Sequence, residues 1–242
     1  MNTIKINSKS VRMIAHRGLS GIEKENTYPA FIAAGNRSYY GIETDVHKTA
    51  DGEFVIIHDE TTERVSGGKI NIDVEKSSYD ALKDIILPDT DGSLGRKDIK
   101  IPLLRDYIRI CKKYEKICVL ELKNPFIKTD IVKMTEIIRS ENYLDGMIYI
   151  SFDMDNCVKL REILPDAKIQ WLVGKHVTEN DIETLKKQKL DVDIYYQVLT
   201  KEIVDRLHSM GMEINCWTCD NEQDAQKLIE MGVDYITSNI LE

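Results

Sequence analysis

The 242 residues, 42% hydrophobic and 31% charged, suffice for one sizeable core, and 13 glycines and 5 prolines are too few for a fibrous or disordered chain. A formal net charge of −8 argues against a general nucleic-acid binder, although a bound cation can still invert the local field for a small anionic substrate. Five scattered cysteines do not read as a disulfide framework, Met1 to Ser10 lacks the apolar region of a signal peptide, and no apolar run is long enough to span a membrane, so a cytoplasmic protein is expected.

Val11 to Ala15 predicts a strand, and Thr27 to Asn36 a helix with Asn26 as candidate cap and Pro29 in its first turn. Gly41 to Lys48 alternates, with Ile42, Thr44 and Val46 on one side and Glu43, Asp45 and His47 on the other, which is strand periodicity. A turn at Asp51-Gly52 leads to a short strand at Glu53 to His58. Residues 59–101 are irregular and read as a small insertion with one short helix near Tyr79 to Ile86, after which Pro102 starts a helix to about Lys113. Regular alternation follows. Strands are expected at Ile117 to Leu122, Gly146 to Ile150, Lys168 to Val173, Val192 to Tyr196, Met212 to Trp217 and Val233 to Ile236. Helices fall between them at Thr129 to Glu141, Met154 to Ile163, Glu179 to Gln188, Lys201 to Met210 and Asn221 to Met231.

Counting Glu53 to His58 with the strand before it gives eight strands with helical connections, which predicts a single (β/α)₈ barrel over residues 1–242, its final outer helix absent or only a turn. The rival is an open doubly wound sheet, but no G-x-G-x-x-G follows the first strand to support its dinucleotide version.

A barrel carries its chemistry at the C-terminal ends of its strands. Here those ends hold His16-Arg17, the Glu43/Asp45/His47 face, His58-Asp59, Glu121 with Lys123 and Asn124, Ser151 with Asp153, and Trp217. Glu43 and Asp45, at i and i+2, face the same way, and two such carboxylates repel unless a cation or proton lies between them. A hard divalent cation with oxygen ligands is the simple solution, with Glu121 as a third carboxylate. His16 and His58 suit proton transfer near neutrality, while Arg17 and Lys123 suit phosphoryl oxygens. His47 either lines the mouth or acts behind it, Trp217, Phe152 and Tyr196 either pack or stack on substrate, and His176 and His208 read as surface groups. Cys216 and Cys219 form a lone C-x-x-C with no second pair to complete a zinc site, and read as unrelated thiols; Cys111 and Met134 read as packing residues.

These residues also carry a resemblance. His16-Arg17-Gly18, Glu25-Asn26-Thr27, Gly41-Ile42-Glu43-Thr44-Asp45-Val46, Asp51-Gly52, His58-Asp59, Glu121-Leu122-Lys123, Ser151-Phe152, Trp217-Thr218 and Gly232 to Thr237 occur in one order over Val11 to Asn239. In that order the chain resembles the glycerophosphodiester phosphodiesterases of small bacterial type. The resemblance implies a (β/α)₈ barrel with an insertion after the second histidine, and hydrolysis of a glycerophosphodiester to sn-glycerol 3-phosphate and an alcohol, within glycerol and lipid metabolism. It implies His16 and His58 as the acid–base pair, Glu43, Asp45 and Glu121 as ligands of one Mg²⁺ or Ca²⁺, and Arg17 and Lys123 as phosphate contacts. The alternatives are a lyase that stops at a cyclic phosphate and a barrel that binds without turnover. The sequence departs from the family at Lys24, where proline is common, and at Thr237-Ser238-Asn239, where threonine is often followed directly by aspartate or asparagine.

Overall fold

In the computed structural model, which describes residues 2–242, β1 (Arg12–Ala15) lies parallel between β2 (Gly41–Lys48) and β9 (Tyr235–Ser238). Between them come β4 (Ile117–Leu122), β5 (Met147–Ser151), β6 (Lys168–Val173), β7 (Asp191–Tyr195) and β8 (Ile214–Trp217), each parallel to its neighbours. The β1–β2 ladder closes the ring, which excludes the open sheet and makes this an eight-stranded (β/α)₈ barrel. The ninth strand, β3 (Phe54–Ile56), is antiparallel to β2 and lies outside the ring. It returns through the turn at Asp51-Gly52, where Gly52 has a φ of +89° that a side chain would oppose.

Helices α1 (Tyr28–Gly35), α3 (Leu104–Lys113), α4 (Lys128–Ser140), α5 (Met154–Ile163), α6 (Glu179–Gln188), α7 (Lys201–Ser209) and α8 (Glu222–Met231) link successive ring strands, and α2 (Tyr79–Leu82) is a single turn within 59–101. Thr178 and Asp181 form a reciprocal cap on α6, and Asp153, Thr200 and Asn221 cap α5, α7 and α8 with their side chains. Among the described residues no helix is long and apolar enough to cross a membrane.

Several predicted boundaries move. Helix α2 stops at Leu82 and not Ile86, and α3 begins two residues after Pro102. The last strand starts at Tyr235 because the Val233 N–H is taken by the Leu228 carbonyl at the end of α8. Asn26 is not the cap of α1: its side chain turns inward to Thr44 and Asp45. After β9 no helix follows among the described residues, and Leu241 pairs instead with Ile4.

The alternation along β2 separates two buried faces, since a closed ring leaves neither side to solvent. Ile42 and Val46 join the main core between strands and helices, while Glu43 and Asp45 point into the ring. The barrel interior has its own small apolar cluster, including Ile14, Val119, Ile148, Leu172 and Tyr235. Cys216 and Cys219 are buried free thiols against the carbonyls of Tyr235 and Asn221, and Cys111 and Met134 are buried in the core. Residues 59–101 form a satellite core of Val65, Val74, Leu82, Ile85, Leu87 and Ile99 against Val55 and Ile57. That packing holds the segment beside the C-terminal end of β2.

Candidate active site

A cavity of about 100 Å³ opens at the C-terminal end of the ring, lined by His16, Arg17, Glu43, His58, Glu121, Lys123, Trp217 and, deeper, Ile150, Leu172, Asp193 and Thr237. Asp45, 1% exposed, stands behind the lining. Seven of the eight site residues expected from the sequence therefore meet at one cavity, and the eighth supports it.

The first contributors follow β1 through a sharp reversal. Arg17 and Gly18 have φ of +53° and +75°, and a Cβ on Gly18 would lie 2.7 Å from the backbone carbon of Ala30, so glycine is required there. The reversal aims the Arg17 N–H at Glu43 Oε2 (2.8 Å) and sends the guanidinium to Glu25 (2.8 Å) and towards Asp45 (3.6 Å). Asp45 Oδ2 accepts from Asn26 Nδ2 at 2.7 Å.

Oxygen atoms of Glu43, Asp45 and Glu121 all approach within 4.8 Å of one another, and the three side chains are buried. The β2–β4 register produces this directly by pairing Asp45 with Glu121. Burial first, then repulsion from Asp45 and Glu121, pushes Glu43 well above the usual carboxylate range. Burial and Asp45 push Glu121 up to about 7. Asp45 goes the other way: burial opposes its charge, but Lys123, Arg17 and His58 together hold it below the ordinary value. Lys123 Nζ lies 2.8 Å from Glu121 and 3.5 Å from Asp45. Asp45 Oδ1 is buried without a hydrogen-bond partner. Three crowded carboxylates, one with an orphaned oxygen, fit a hard divalent cation, which would satisfy that oxygen and relieve the repulsion.

The two histidines face this cluster with matched geometry. His16 Nδ1 lies 2.7 Å from Asn239 Oδ1, and His58 Nδ1 lies 2.6 Å from Asp59 Oδ1. Each contact places the ring proton on Nδ1 and leaves Nε2 free; that of His16 is 3.9 Å from Glu43. Burial, then the nearby Arg17, lowers His16 to about 4, and burial lowers His58 despite the attraction of Asp45. Such rings rest as bare bases, and one can take a second proton, on Nε2, when an anionic group binds beside it.

Behind these groups lies a polar layer in which the sequence had assigned few roles. Arg64 forks onto both Glu25 (2.7 and 2.9 Å) and Asp59 (2.6 and 3.0 Å), joining the segment 59–101 to the supports of Arg17 and His58. His47 does not line the cavity. It is fully buried, with Nδ1 at 3.0 Å from Glu75 and Nε2 at 3.2 Å from the His58 carbonyl. Ser151 and Asp153 do not join the site either: Ser151 donates to the Leu122 carbonyl, and Asp153 caps α5. Trp217 packs edge-on against Phe152 (5.5 Å between centroids) and donates Nε1 to the Asp193 carbonyl, whereas Tyr196 packs on Tyr195. Asp193 is the residue most plainly missed. With Asp191 it repeats the i, i+2 carboxylate pattern that drew attention to Glu43 and Asp45.

The glycerophosphoryl diester phosphodiesterase family model matches residues 16–241. A glycerophosphodiester phosphodiesterase of Caldanaerobacter subterraneus subsp. tengcongensis is 27% identical over 231 residues, covering 94% of this chain and 93% of that protein. Among solved structures, a glycerophosphodiester phosphodiesterase from Parabacteroides distasonis superposes with a TM-score of 0.80 at 28% identity, covering 95% and 93% of the two chains. A phosphodiesterase from Oleispira antarctica, solved with its product sn-glycerol 3-phosphate, superposes with a TM-score of 0.85 over 98% of this chain and 96% of that one; at 23% identity the likeness is one of fold.

Proposed function

We propose that this chain, which belongs to the glycerophosphoryl diester phosphodiesterase family and is an enzyme of that class, hydrolyses a small glycerophosphodiester to sn-glycerol 3-phosphate and an alcohol. The observation that carries the reading is the placing of two Nε2 atoms, two cationic side chains and three crowded carboxylates around one cavity. A phosphodiester needs a proton acceptor for the nucleophile, a proton donor for the departing alkoxide, and positive charge for the phosphoryl oxygens.

His16 and His58 meet the first two needs through Nε2, each ring held by the partner at its Nδ1. One, neutral, takes the proton of the glycerol 2-hydroxyl as that oxygen attacks phosphorus; the other, which takes up a solvent proton on Nε2 when the anionic diester binds beside it, gives that proton to the leaving alkoxide. The roles then exchange as water opens the cyclic phosphate. Arg17 and Lys123 hold the phosphoryl oxygens, Arg17 through its planar fork and Lys123 as a point charge. Glu43, Asp45 and Glu121 would hold one divalent cation, Mg²⁺ or Ca²⁺, which would supply Lewis-acid stabilisation of the negative charge on the phosphoryl oxygens. Trp217 and Phe152 offer an apolar wall to the substrate.

The test is release of sn-glycerol 3-phosphate from a panel of glycerophosphodiesters with magnesium, with calcium and with excess chelator, alongside His16→Ala and His58→Ala. Metal-dependent release that falls about 10²-fold or more in either variant supports the reading. Unchanged activity in both variants would sink the histidine assignment. Phosphorus NMR of the products separates complete hydrolysis from a reaction that halts at a cyclic phosphate.

A further inference from the structure

Asp193 sits in the middle of β7, two residues before the strand ends, and so reaches the cavity from its floor. It is 2% exposed, and among the described residues its carboxyl group finds no hydrogen-bond partner, with Oδ1 fully buried. Its polar neighbours do not turn towards it. Asn215 donates to Gln170 Oε1 (3.2 Å) and Thr237 donates to Asn215 Oδ1 (3.2 Å), so neither donor is spent on Asp193, and Gln170 Nε2 is likewise buried without a partner. Nor is Asp193 a fourth member of the cation cluster, which comprises Glu43, Asp45 and Glu121 alone. An orphaned buried carboxyl facing a polar cavity costs stability unless a ligand satisfies it.

We propose that Asp193 recognises the glycerol half of the substrate, its carboxyl group hydrogen-bonding the primary hydroxyl that takes no part in the chemistry. The assignment rests on the glycerophosphodiester reading given above. Leu172, paired with Asp193 across β6 and β7, and Ile150 share the deeper lining with Asp193 and Thr237, so the floor presents few polar groups among apolar ones and suits a hydroxyl carried on a short carbon chain. Burial, then repulsion from Glu121, pushes the Asp193 carboxyl well above the usual range. In its protonated form it would both donate and accept, matching a hydroxyl, and as a carboxylate it would still accept from one. Asp193 is thus a specificity group, distinct from the proton-transfer and phosphate-holding groups.

The experiment crosses Asp193 substitutions with removal of that one hydroxyl. The substrates are sn-glycero-3-phosphoethanolamine and its analogue built on propane-1,2-diol, which keeps the 2-hydroxyl and lacks the primary one. Asp193→Val is expected to lower kcat/KM about tenfold on the glycerol compound, mainly through KM, and to leave the analogue unchanged. Asp193→Asn, which keeps a donor and an acceptor, should retain most of the discrimination between the two. Asp193→Val should melt at or above the wild-type temperature, since it removes an unpaired buried carboxyl, and Asp193→Ala makes the same comparison if valine does not fit. An equal fold-change on both compounds, or none on either, would overturn the assignment while leaving the reaction standing. Wild-type protein that cleaves neither compound would overturn both together.

Discussion

Asn239 is the hinge between His16 and Asp220. Its Oδ1 accepts from His16 Nδ1 at 2.7 Å and from Ser20 Oγ at 2.6 Å, while its Nδ2 donates to Asp220 Oδ2 at 2.6 Å. The Asp220 contact fixes which way the amide points, and the amide in turn fixes the His16 proton on Nδ1. His58 is held by a carboxylate, Asp59, which supports a protonated ring more strongly than an amide does. The two histidines are therefore alike in tautomer and unlike in the charge behind them.

Asn239→Ala should leave KM within about twofold and lower kcat by ~10²-fold, because a ring free to rotate no longer presents Nε2 to the cavity. Steady-state kinetics with a melting curve as control check this. A fall in KM and kcat together with a large loss of thermal stability would show that Asn239 merely holds the last loop.

The carboxylate cluster makes stability depend on pH and metal jointly. Glu121 rises from an ordinary 4.5 to about 7, and Glu43 rises with it. A group that binds its proton more tightly when folded stabilises the fold below its unfolded pKa and loses that contribution as pH climbs through the folded one. In chelator, the protein should lose on the order of 3 kcal/mol from Glu121 between about pH 5 and about pH 8. Asp45, whose pKa is lowered, contributes the opposite sign, but only at more acidic pH. A divalent cation needs the ionised carboxylates, so it should raise the melting temperature more at about pH 8 than at about pH 5. Melting curves with and without metal at both pH values decide it; equal metal shifts would argue against the cluster as the cation site.

Arg64 is the third lever. Its fork joins Glu25 and Asp59, both of which burial opposes and Arg64 holds down at about 2. Arg64→Ala should lower kcat about tenfold by loosening the supports of Arg17 and His58. Its cost in stability should stay within ~1 kcal/mol, since the side chain is 49% exposed. Arg64→Lys should not rescue, because a single ammonium cannot fork onto two carboxylates. Full activity in the lysine variant, by initial rates, would show that charge alone matters.

Much of the fold was legible because periodicity is local. The boundaries of β2, β4, β6, α5 and α6 follow from apolar spacing and turn residues within a few positions. The last strand begins later than expected because the Val233 N–H closes the end of α8 on the Leu228 carbonyl, and spacing alone does not place such a helix end. Asn26 shows the same limit. Its type and place suggest a helix cap, yet its side chain is drawn to Thr44 and Asp45, and no local rule ranks that pull above the cap. The candidate groups on strand ends were legible because a barrel directs them to one mouth, and the i, i+2 carboxylates stood out in an apolar run. Asp193 carried that same pattern and was passed over as one residue of a strand.

By itself the sequence determined the alternation of strand and helix, the order of the motifs, and which side chains stand at strand ends, since each depends on neighbours along the chain. Only the tertiary structure decided that β1 meets both β2 and β9, that Asp45 lies beside Glu121, that Asn239 holds His16, and that Asp193 is left without a partner. Those are contacts between residues far apart in the chain, fixed by ring closure and strand register, and spacing along a sequence carries no direct measure of either.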